Sequence, residues 1–365
     1  MTLQPVPTSC ETVSPAWLTA ALGGPEALGG AQVTGFDASR VGQGMGFMAI
    51  INRLSLTYDR PTAVAPRSVI AKFASPDPRA REIAALFRFY EKEVRFYQQM
   101  AGESPIRSPR TYHRSVDLES GDFFLLMEDL SHLKNGDQLE GLGIDEARLA
   151  IRSLAQLHAR WWEKPELRAM TWLPPFDDAG MLALEGVFQQ CWEPYCAFMG
   201  DRLPAAMVPV GAALSTRIKS MMGALSQSPV TLVHGDYRAD NLFFGGDAAS
   251  LAVVDWQIVL RGRGAFDLAY LLTGNLSIED RRAHEADLVQ LYQATLAKGG
   301  VNGYSAEDAW RDYRMCSVFG WIWPVVAIGS LDTGNERGVA FFFEWSRRVC
   351  TAIADLGSAE VLADY

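Results

Sequence analysis

The distribution of apolar and polar positions divides the chain into a strand-rich first part and a mainly helical remainder. Residues 31–58 alternate and carry β-forming side chains around a glycine cluster, and residues 66–73 form a second β-prone run. Apolar side chains then recur every three or four residues over 80–100, which predicts one long helix. The fully apolar run 123–127 predicts a buried strand.

The pattern changes at residues 131–143, which are polar, contain glycine and predict a loop or linker. After this segment most apolar positions follow helical spacing. Helices are predicted for residues 145–161, for much of 179–225 and from Phe266 to the end. Residues 231–259 are the exception, because two short apolar runs there are spaced like strands and carry polar residues at their ends.

The composition is that of a folded protein, since 48% of the 365 residues are apolar and 21% are charged. A formal net charge of -10 argues against a nucleic-acid partner and against an anionic membrane surface, because both select basic proteins. The longest apolar stretch, residues 318–328, is too short to span a bilayer and predicts a buried helix. No secretion signal is recognised, so we expect a cytoplasmic protein without a membrane partner.

The five cysteines predict neither a disulfide framework nor a zinc site. They are odd in number and scattered along the chain. Cys191 and Cys196 are separated by four residues, but no second pair of Cys or His lies nearby to complete a metal site. We therefore expect reduced thiols.

Two short segments carry the residues that phosphoryl transfer requires. Residues 232–244 read Leu-Val-His-Gly-Asp-Tyr-Arg-Ala-Asp-Asn-Leu-Phe-Phe, so Asp236 lies five residues before Asn241. Asp255 follows the apolar run 251–254. A carboxylate can accept the proton of an attacking hydroxyl, and an Asn and an Asp can hold the magnesium ions that neutralise nucleotide phosphates. Taken alone, Asp236 is better interpreted as a turn-capping residue, but its register with His234, Gly235, Asn241 and Asp255 favours chemistry.

The order His-x-Asp-x-x-x-x-Asn, with an Asp after a hydrophobic strand, resembles the catalytic and metal loops of the aminoglycoside phosphotransferase and choline-kinase-like superfamily. The form His-Gly-Asp-Tyr-Arg-x-x-Asn with Asp-Trp-Gln is most similar to the ecdysteroid-kinase-like branch and its bacterial relatives. The resemblance implies an α+β, bilobal protein-kinase-like fold. Its parts would be a small β-rich N-terminal lobe at 1–127, a hinge at 128–133 and a larger, mainly helical C-terminal lobe at 134–365.

The resemblance also implies an activity, its cofactors and the roles of five residues. The protein would be a phosphotransferase with an alcohol acceptor that uses ATP and Mg²⁺. Asp236 would be the catalytic residue, and Asn241 and Asp255 would bind the metal. His234 would brace the loop by hydrogen bonding, and Asp267 would anchor it through backbone contacts, both as structural support.

Some positions depart from the pattern of protein kinases or have an open role. Trp256 and Gln257 stand where protein kinases carry Phe-Gly, so regulation by a moving Phe is not implied. Arg238 has two interpretations: it binds a substrate anion or phosphate, or it pairs with a surface carboxylate. Asp240 has no assigned role beyond a turn residue.

The nucleotide side is expected in the N-terminal part. Lys72 resembles the strand lysine that contacts the α- and β-phosphates, and burial of such a lysine requires a partner. Glu93 is the partner that the resemblance implies, while Glu91 competes on spacing alone. The edge of a strand, with Lys72 exposed, is the structural alternative.

Two further segments complete the expected nucleotide site. Three glycines between β-prone runs can bring backbone amides close to phosphates, although the loop is neither a P-loop nor a Rossmann motif: Gly42, Gly44 and Gly46. The run around Met127, Glu128 and Leu130 resembles the kinase hinge, where backbone groups would bind adenine and Met127 would border the pocket. Since backbone groups recognise the base, the side chains do not distinguish ATP from GTP.

The acceptor is expected to be an apolar or amphipathic alcohol, steroid-like or hydroxyacyl-like. Aromatic residues are concentrated between positions 161 and 198, and Trp192 and Tyr195 are the candidate substrate contacts. Core packing explains at least half of these aromatics equally well. Acidic residues in the same region keep an aminoglycoside or other antibiotic open, and an aromatic cage for choline is less favoured: Asp177, Asp178, Glu185, Glu193 and Asp201.

A different class of function is a nucleotide-binding pseudokinase that serves a partner without catalysis. A pseudokinase commonly lacks one of the catalytic parts, whereas this chain has all of them: Lys72, Glu93, Asp236, Asn241 and Asp255. A protein kinase is disfavoured, because no Ala-Pro-Glu segment or phosphorylatable activation loop follows Asp255. The oligomeric state is not predicted.

Overall fold

A computed structural model describes residues 6–42, 48–245, 250–330 and 336–365. The chain forms two compact units. The first comprises Met1–Glu103 with Ser108–His132, and the second comprises Ser104–Arg107 with Leu133–Tyr365. The boundary after His132 falls within the predicted hinge 128–133, whose function as a hinge stays a prediction. The short segment 104–107 joins the second unit, since Arg107 bridges to Ala252 there.

The first unit contains a five-stranded antiparallel sheet in the order β1-β2-β3-β5-β4. Its strands are β1 (Val33–Arg40), β2 (Ala49–Tyr58), β3 (Ser68–Ala74), β4 (Thr111–Val116) and β5 (Phe123–Glu128). The short helices α1 (Pro15–Ala21) and α2 (Gly24–Ala27) precede it. Leu18 of α1 packs into a buried apolar cluster with Leu54, Val69 and Phe124 of the sheet, which fixes α1 to the sheet.

The predicted single helix over residues 80–100 is wrong in one respect, because two helices occupy this region. α3 (Pro78–Leu86) and α4 (Phe89–Gln99) are separated at Arg88, which has a left-handed backbone with φ of 56°. Ile83 and Leu86 supported the continuous helical period, yet both are exposed in α3. The apolar spacing therefore continued through the break between α3 and α4, which only the backbone conformation at Arg88 reveals.

β4 was not predicted from the sequence. Its residues, Thr-Tyr-His-Arg-Ser-Val, are mostly half-buried and lack a clear alternation of apolar and polar side chains. Pairing with β5 stabilises the strand, with Arg114 opposite Leu125 and Val116 opposite Phe123. A polar edge strand of this kind depends on its neighbour and not on its own pattern.

The second unit is mainly helical, as the sequence indicates. Its helices are α5 (Ile144–Trp161), α6 (Pro165–Ala169), α7 (Ala179–Leu182), α8 (Leu184–Met199), α9 (Met207–Leu214), α10 (Ile218–Leu225), α11 (Ala265–Asn275), α12 (Ile278–Lys298), α13 (Ala306–Phe319), α14 (Ile322–Ser330) and α15 (Glu336–Asp355). The strands are β6 (Lys134–Asn135), β7 (Thr231–Val233), β8 (Leu242–Phe244), β9 (Leu251–Val253) and β10 (Leu260–Gly262). β7 pairs with β10, and β8 lies between β6 and β9.

α11 is the central helix of this unit, since every one of its eleven residues is buried. The apolar stretch 318–328 forms the end of α13 and the start of α14, where Phe319, Ile322 and Val325 are also buried. This agrees with the predicted buried helix, although a break at Gly320 and Trp321 divides it. Within the described ranges, no helix is both long and apolar enough to cross a membrane.

Candidate functional site

Residues 234–241 form a loop between two short strands of the second unit, because β7 ends at Val233 and β8 begins at Leu242. β8 pairs with β9, where Leu242 lies opposite Val253. The amide of Val254 continues this pairing by donating to the carbonyl of Asn241 at 3.1 Å. The hairpin therefore places Asn241 next to the turn that carries Asp255.

Asp267, in the first turn of α11, holds the beginning of the 234–241 loop. Its Oδ2 accepts the amide hydrogen of His234 at 2.7 Å, and its Oδ1 accepts that of Gly235 at 2.9 Å. The carboxylate is completely buried, and Nε2 of His158 lies 3.3 Å from Oδ2. Gly235 has φ of +85°, and a Cβ there would lie 2.7 Å from the carbonyl oxygen of Ile258. The loop thus requires both this acid and this glycine.

His234 connects the loop to the turn at residues 255–257. Its Nε2 donates to the carbonyl of Val254 at 3.0 Å, and its Nδ1 accepts the amide hydrogen of Asp236 at 3.2 Å. These two partners assign the neutral tautomer with the proton on Nε2. The ring also packs against Trp256, with 4.6 Å between centroids. The contacts are those of a bracing residue, and its contribution to turnover stays a prediction.

The carboxylate of Asp236 is held by two donors on the same oxygen. Oδ2 accepts from Nε of Arg238 at 3.1 Å and from Nδ2 of Asn241 at 2.9 Å. Burial is the largest influence and raises the pKa of Asp236, but the charge and hydrogen bond of Arg238, with smaller contributions from His234 and Tyr270, together outweigh it and the pKa lies below its usual value. Asp236 is therefore an ionised, oriented carboxylate, able to align a hydroxyl and to receive its proton.

Arg238 pairs with carboxylates of its own loop. Besides Asp236, it contacts Oδ2 of Asp240, and its Nη1 donates to Oε1 of Gln138 at 3.2 Å. Of its two predicted interpretations, carboxylate pairing is what the structure contains, although neither acid is a surface residue. Burial raises the pKa of Asp240 despite the opposing charge of Arg238. Asp240, which the sequence left without a role, is thus an anchor for Arg238.

Three residues around this loop were missed by the sequence. The phenol of Tyr270 lies near Asp236, and burial together with the nearby charge of Asp236 raises the pKa of Tyr270. Oδ1 of Asn275 accepts the amide hydrogen of Ala239 at 2.8 Å, and the amide of Gln138 donates to Asp240 at 3.1 Å. Polar side chains at the fully buried positions 138 and 275 would have been the signal, but burial is not visible in a sequence.

Asp255 lies at the end of β9 in a left-handed conformation with φ of 64°. Non-glycine residues rarely adopt this region, and those that do are concentrated at functional sites. Nε2 of Gln257 lies 3.4 Å from Oδ2 of Asp255, and Oε1 of Gln257 is buried without a donor among the described residues.

These side chains fit a magnesium ion. Nδ2 of Asn241 is committed to Asp236, so its amide oxygen is the atom that can face a cation. Together with the carboxylate of Asp255 it supplies hard oxygen ligands, and Mg²⁺ needs only one or two protein ligands when water and phosphate complete its shell. No cluster of three or more His, Cys, Asp or Glu suited to a metal occurs in the described parts of the chain.

Lys72 and Glu93 form a buried ion pair in the first unit. Nζ of Lys72, in the middle of β3, lies 3.0 Å and 2.8 Å from the two carboxylate oxygens of Glu93 in α4. The side chains are 4% and 1% exposed. The competing Glu91 instead pairs with Arg88 at 3.0 Å. An exposed lysine at a strand edge, the structural alternative, is wrong because β3 is flanked by β2 and β5.

Of the other residues expected to bind the nucleotide, the structure describes only some. Gly42 has φ of +70°, whereas Gly44 and Gly46 lie outside the described residues. Met127 and Leu130 are buried.

The expectation for Glu128 needs correction. Its amide hydrogen is donated to the carbonyl of Arg110 at 2.8 Å, and its carboxylate accepts the amide hydrogen of Arg110 at 3.1 Å. The adjacent Asp129 side chain bonds Ser68 at 2.6 Å and Arg53 at 2.7 Å. The amide of Glu128 is therefore committed within the sheet, and an adenine contact at this residue would use its carbonyl or the backbone groups after it.

Of the candidate substrate contacts, Tyr195 is a core residue and Trp192 is half-buried and packed against the core. Tyr195 is completely buried, and its hydroxyl accepts from Nε1 of Trp321 at 3.0 Å and lies 3.7 Å from Sγ of Cys350. Trp192 stacks on Tyr195 and lies against Gly211, where a Cβ would approach its ring to 1.9 Å. The structure therefore corrects this assignment, because aromatic clustering in the sequence reflected packing.

A model of the ecdysteroid kinase-like family matches residues 43–299. The chain belongs to the ecdysteroid kinase-like family. The protein is accordingly a small-molecule phosphotransferase that acts on an alcohol group, and the predicted resemblance to the ecdysteroid-kinase-like branch is confirmed. No curated protein sequence matches the chain.

Solved structures of similar fold come from related phosphotransferases. Choline kinase from Cryptosporidium parvum has a TM-score of 0.54 at 11% identity, covering 90% of this chain and 90% of its own. A point mutant of aminoglycoside 2'-phosphotransferase-IIIa, in complex with GDP, has a TM-score of 0.55 at 10% identity, covering 96% and 100%. Macrolide 2'-phosphotransferase type I has a TM-score of 0.51 at 14% identity, covering 92% and 97%. At these identities the likeness concerns the fold, and it confirms the predicted α+β protein-kinase-like class for this family member.

The buried pair in the first unit gives a prediction that separates packing from chemistry. Lys72→Met should lower the free energy of unfolding by about 3 kcal/mol, because Glu93 is left buried without its main cation. The double variant Lys72→Met/Glu93→Met should recover most of that loss in urea denaturation. It should not recover ADP release from Mg-ATP. Glu91→Gln is the matched control, expected to keep both. Normal turnover in the double variant would show that the pair only supports the fold.

Tyr195 gives a second prediction. Tyr195→Phe removes the acceptor of the Trp321 indole, so we expect a loss of roughly 1–3 kcal/mol in the free energy of unfolding, measured by urea denaturation. Turnover below the unfolding transition should stay within a factor of about two, since a distant core residue does not touch the reacting atoms. Unchanged stability with a large loss of turnover would restore Tyr195 as a substrate contact.

Proposed function

We propose that the protein transfers the γ-phosphoryl group of ATP to a hydroxyl of an apolar or amphipathic metabolite, steroid-like or hydroxyacyl-like. The observation that carries the proposal is the fixed carboxylate of Asp236, with the oxygen ligands of Asn241 and Asp255 at the adjoining hairpin. The proposed catalytic and metal-binding residues are therefore present together in the second unit.

Asp236 is the proposed catalytic residue. It would align the acceptor hydroxyl and receive its proton as the acceptor oxygen forms a bond to the γ-phosphorus. The bond between that phosphorus and the β,γ-bridging oxygen breaks, and ADP leaves with the electron pair. Because the pKa of Asp236 lies below its usual value, its contribution is chiefly orientation, with proton transfer late in the reaction.

Asn241 and Asp255 are the proposed ligands of magnesium, with Oε1 of Gln257 nearby as a further oxygen. The bound cation would neutralise charge on the nucleotide phosphates. The chain itself contributes the direction of these oxygens. The hydrogen bond from Asn241 to Asp236 orients the side-chain amide of Asn241. The left-handed backbone at Asp255 sets the direction of the Asp255 side chain.

The nucleotide is assigned to residues of the first unit. Lys72, held by Glu93, would contact the α- and β-phosphates, and backbone groups near Leu130 would bind the base. The glycine loop that includes Gly42 would approach the phosphates. The GDP complex of the similar aminoglycoside 2'-phosphotransferase variant supports use of a purine nucleotide, and we propose ATP.

The surroundings of Asp236 favour an apolar or amphipathic acceptor. Tyr270 beside it contacts the ring of Trp345 at 6.0 Å between centroids, and Trp345 contacts Phe341 at 5.6 Å. We name Tyr270, Trp345 and Phe341 the aromatic wall. The three side chains are 7–8% exposed, so an acceptor would meet only the exposed edges of these rings, while Asp236 would align its hydroxyl.

An aminoglycoside is the second candidate, since the similar structures include a complex of kanamycin with its phosphotransferase. A polycation would need clustered carboxylates. Four of the five acids that kept this possibility open are used or exposed, because Glu185 pairs with Lys219, Asp178 caps α7, and Glu193 and Asp201 are exposed, while Asp177 is half-buried. The aromatic wall therefore weighs against this candidate.

The proposed roles predict different losses in two variants. Asp236→Ala should lower phosphoryl transfer by at least about a hundredfold while sparing nucleotide binding, because the base and not the nucleotide site is removed. Asp255→Ala should weaken Mg-nucleotide binding as well. Steady-state ADP release and calorimetric titration with ATP, each with and without Mg²⁺, measure both effects. Retained turnover in Asp236→Ala would contradict the assignment.

The acceptor class is tested by ADP release from Mg-ATP against a panel of alcohols. The panel contains steroids, hydroxyacyl-CoA thioesters, choline, macrolides and aminoglycosides. We expect acceptor-dependent release with the first two classes, and its loss in Asp236→Ala. Turnover of aminoglycosides alone would select the second candidate. Nucleotide binding without release in any member would favour the pseudokinase that the sequence left as an alternative.

A further inference from the structure

We propose that Arg238 is a positioning residue, which fixes the carboxylate of Asp236 in the plane that phosphoryl transfer requires, with Asp240 and Gln138 as its anchors. The inference rests on the proposed function, since it concerns the residue assigned there as catalytic. It replaces anion binding and gives a function to the carboxylate pairing, the two interpretations that the sequence offered for Arg238.

The first step is the geometry at Asp236. One carboxylate oxygen, Oδ2, accepts both from Nε of Arg238 at 3.1 Å and from Nδ2 of Asn241 at 2.9 Å. Two donors that converge on one oxygen fix the rotation of the carboxylate about its side-chain bond. Charge-assisted bonds from a planar guanidinium are both strong and directional.

The second step is that Arg238 is itself immobilised. On the far side of Asp236, its Nη1 contacts Oδ2 of Asp240 and donates to Oε1 of Gln138 at 3.2 Å. Gln138 is 1% exposed, and its main chain is held in turn because Nη1 of Arg348 donates to the main-chain carbonyl of Gln138 at 2.6 Å. Gln138 thus connects the guanidinium of Arg238 to the segment that follows β6 and to α15.

The third step excludes a role in binding anions. Arg238 is shared by two carboxylates, Asp236 and Asp240, so the trio carries one net negative charge. The three side chains are only 14–17% exposed. A guanidinium neutralised in this way is a poor receptor for phosphate. It acts through Asp236, so its loss should lower kcat and not raise the KM for ATP.

The test uses the full chain with Mg-ATP as the probe and water as the acceptor, so that no identified alcohol is needed. Arg238→Met should lower kcat for ADP release by about tenfold or more, with the KM for ATP within about twofold of wild type. Arg238→Lys should recover part of the loss, because a charged donor is restored without the fork. In an Asp236→Ala background, Arg238→Met should cause no further loss.

The control variant is Arg263→Met. Arg263 forms a two-pronged ion pair with Asp312 at 2.7 Å and 2.9 Å, and its side chain is 18% exposed, against 17% for Arg238. We expect it to lower the melting temperature at least as much as Arg238→Met, with kcat within about twofold of wild type. Asp240→Asn keeps Arg238 but removes one anchoring charge, and it should lower kcat less than Arg238→Met does. It replaces Arg238→Met in the test if Arg238→Met does not fold.

The outcomes separate this inference from the proposed function. Turnover in Arg238→Met equal to that of Arg263→Met, with Asp236→Ala inactive, would overturn the inference alone. A raised KM for ATP at unchanged kcat would identify phosphate binding and overturn it as well. An equal loss from Arg238→Met with and without Asp236 would show that the arginine acts elsewhere. Wild-type hydrolysis in Asp236→Ala would overturn the catalytic assignment, and the inference with it.

Discussion

The buried carboxylate of Asp267 is the constraint on which the site depends. It accepts two successive amide hydrogens, those of His234 and Gly235, and so fixes the direction in which the chain leaves β7. An unpaired backbone amide at this depth would cost free energy, and the two carboxylate oxygens of Asp267 supply an acceptor for each. The later contacts of the loop depend on that direction. They include the hydrogen bond of His234 to Val254 and the pairing of Arg238 with Asp236.

The proximity of the proposed catalytic and metal-binding residues could be predicted from the sequence because it is local. Asp236, Asn241 and Asp255 are brought together by one hairpin, and hairpin register follows from the spacing of two short apolar runs. The ion pair of Lys72 with Glu93 needed more, since α4 had to pack against β3, yet the cost of a lone buried lysine pointed to a partner.

Contacts between distant segments could not be predicted. Tyr270 and Trp345 are 75 positions apart and meet only because α11 and α15 pack together. Clustered aromatics such as Trp192 and Tyr195 looked like a binding surface, although their spacing equally suits a core. The break at Arg88 was hidden for a related reason, because apolar spacing does not indicate a residue that leaves the helical region. Tertiary packing decided these features.

The left-handed backbone of Asp255 has a consequence for how this protein can change. A glycine would adopt φ of 64° without strain, and an asparagine would tolerate it better than most residues. Either replacement would relax the turn, yet each would remove the charge that the site uses. Selection for thermal stability alone should therefore favour glycine or asparagine at position 255, and we expect such variants to lose activity. The most strained residue of the turn is the one that stabilising design must leave untouched.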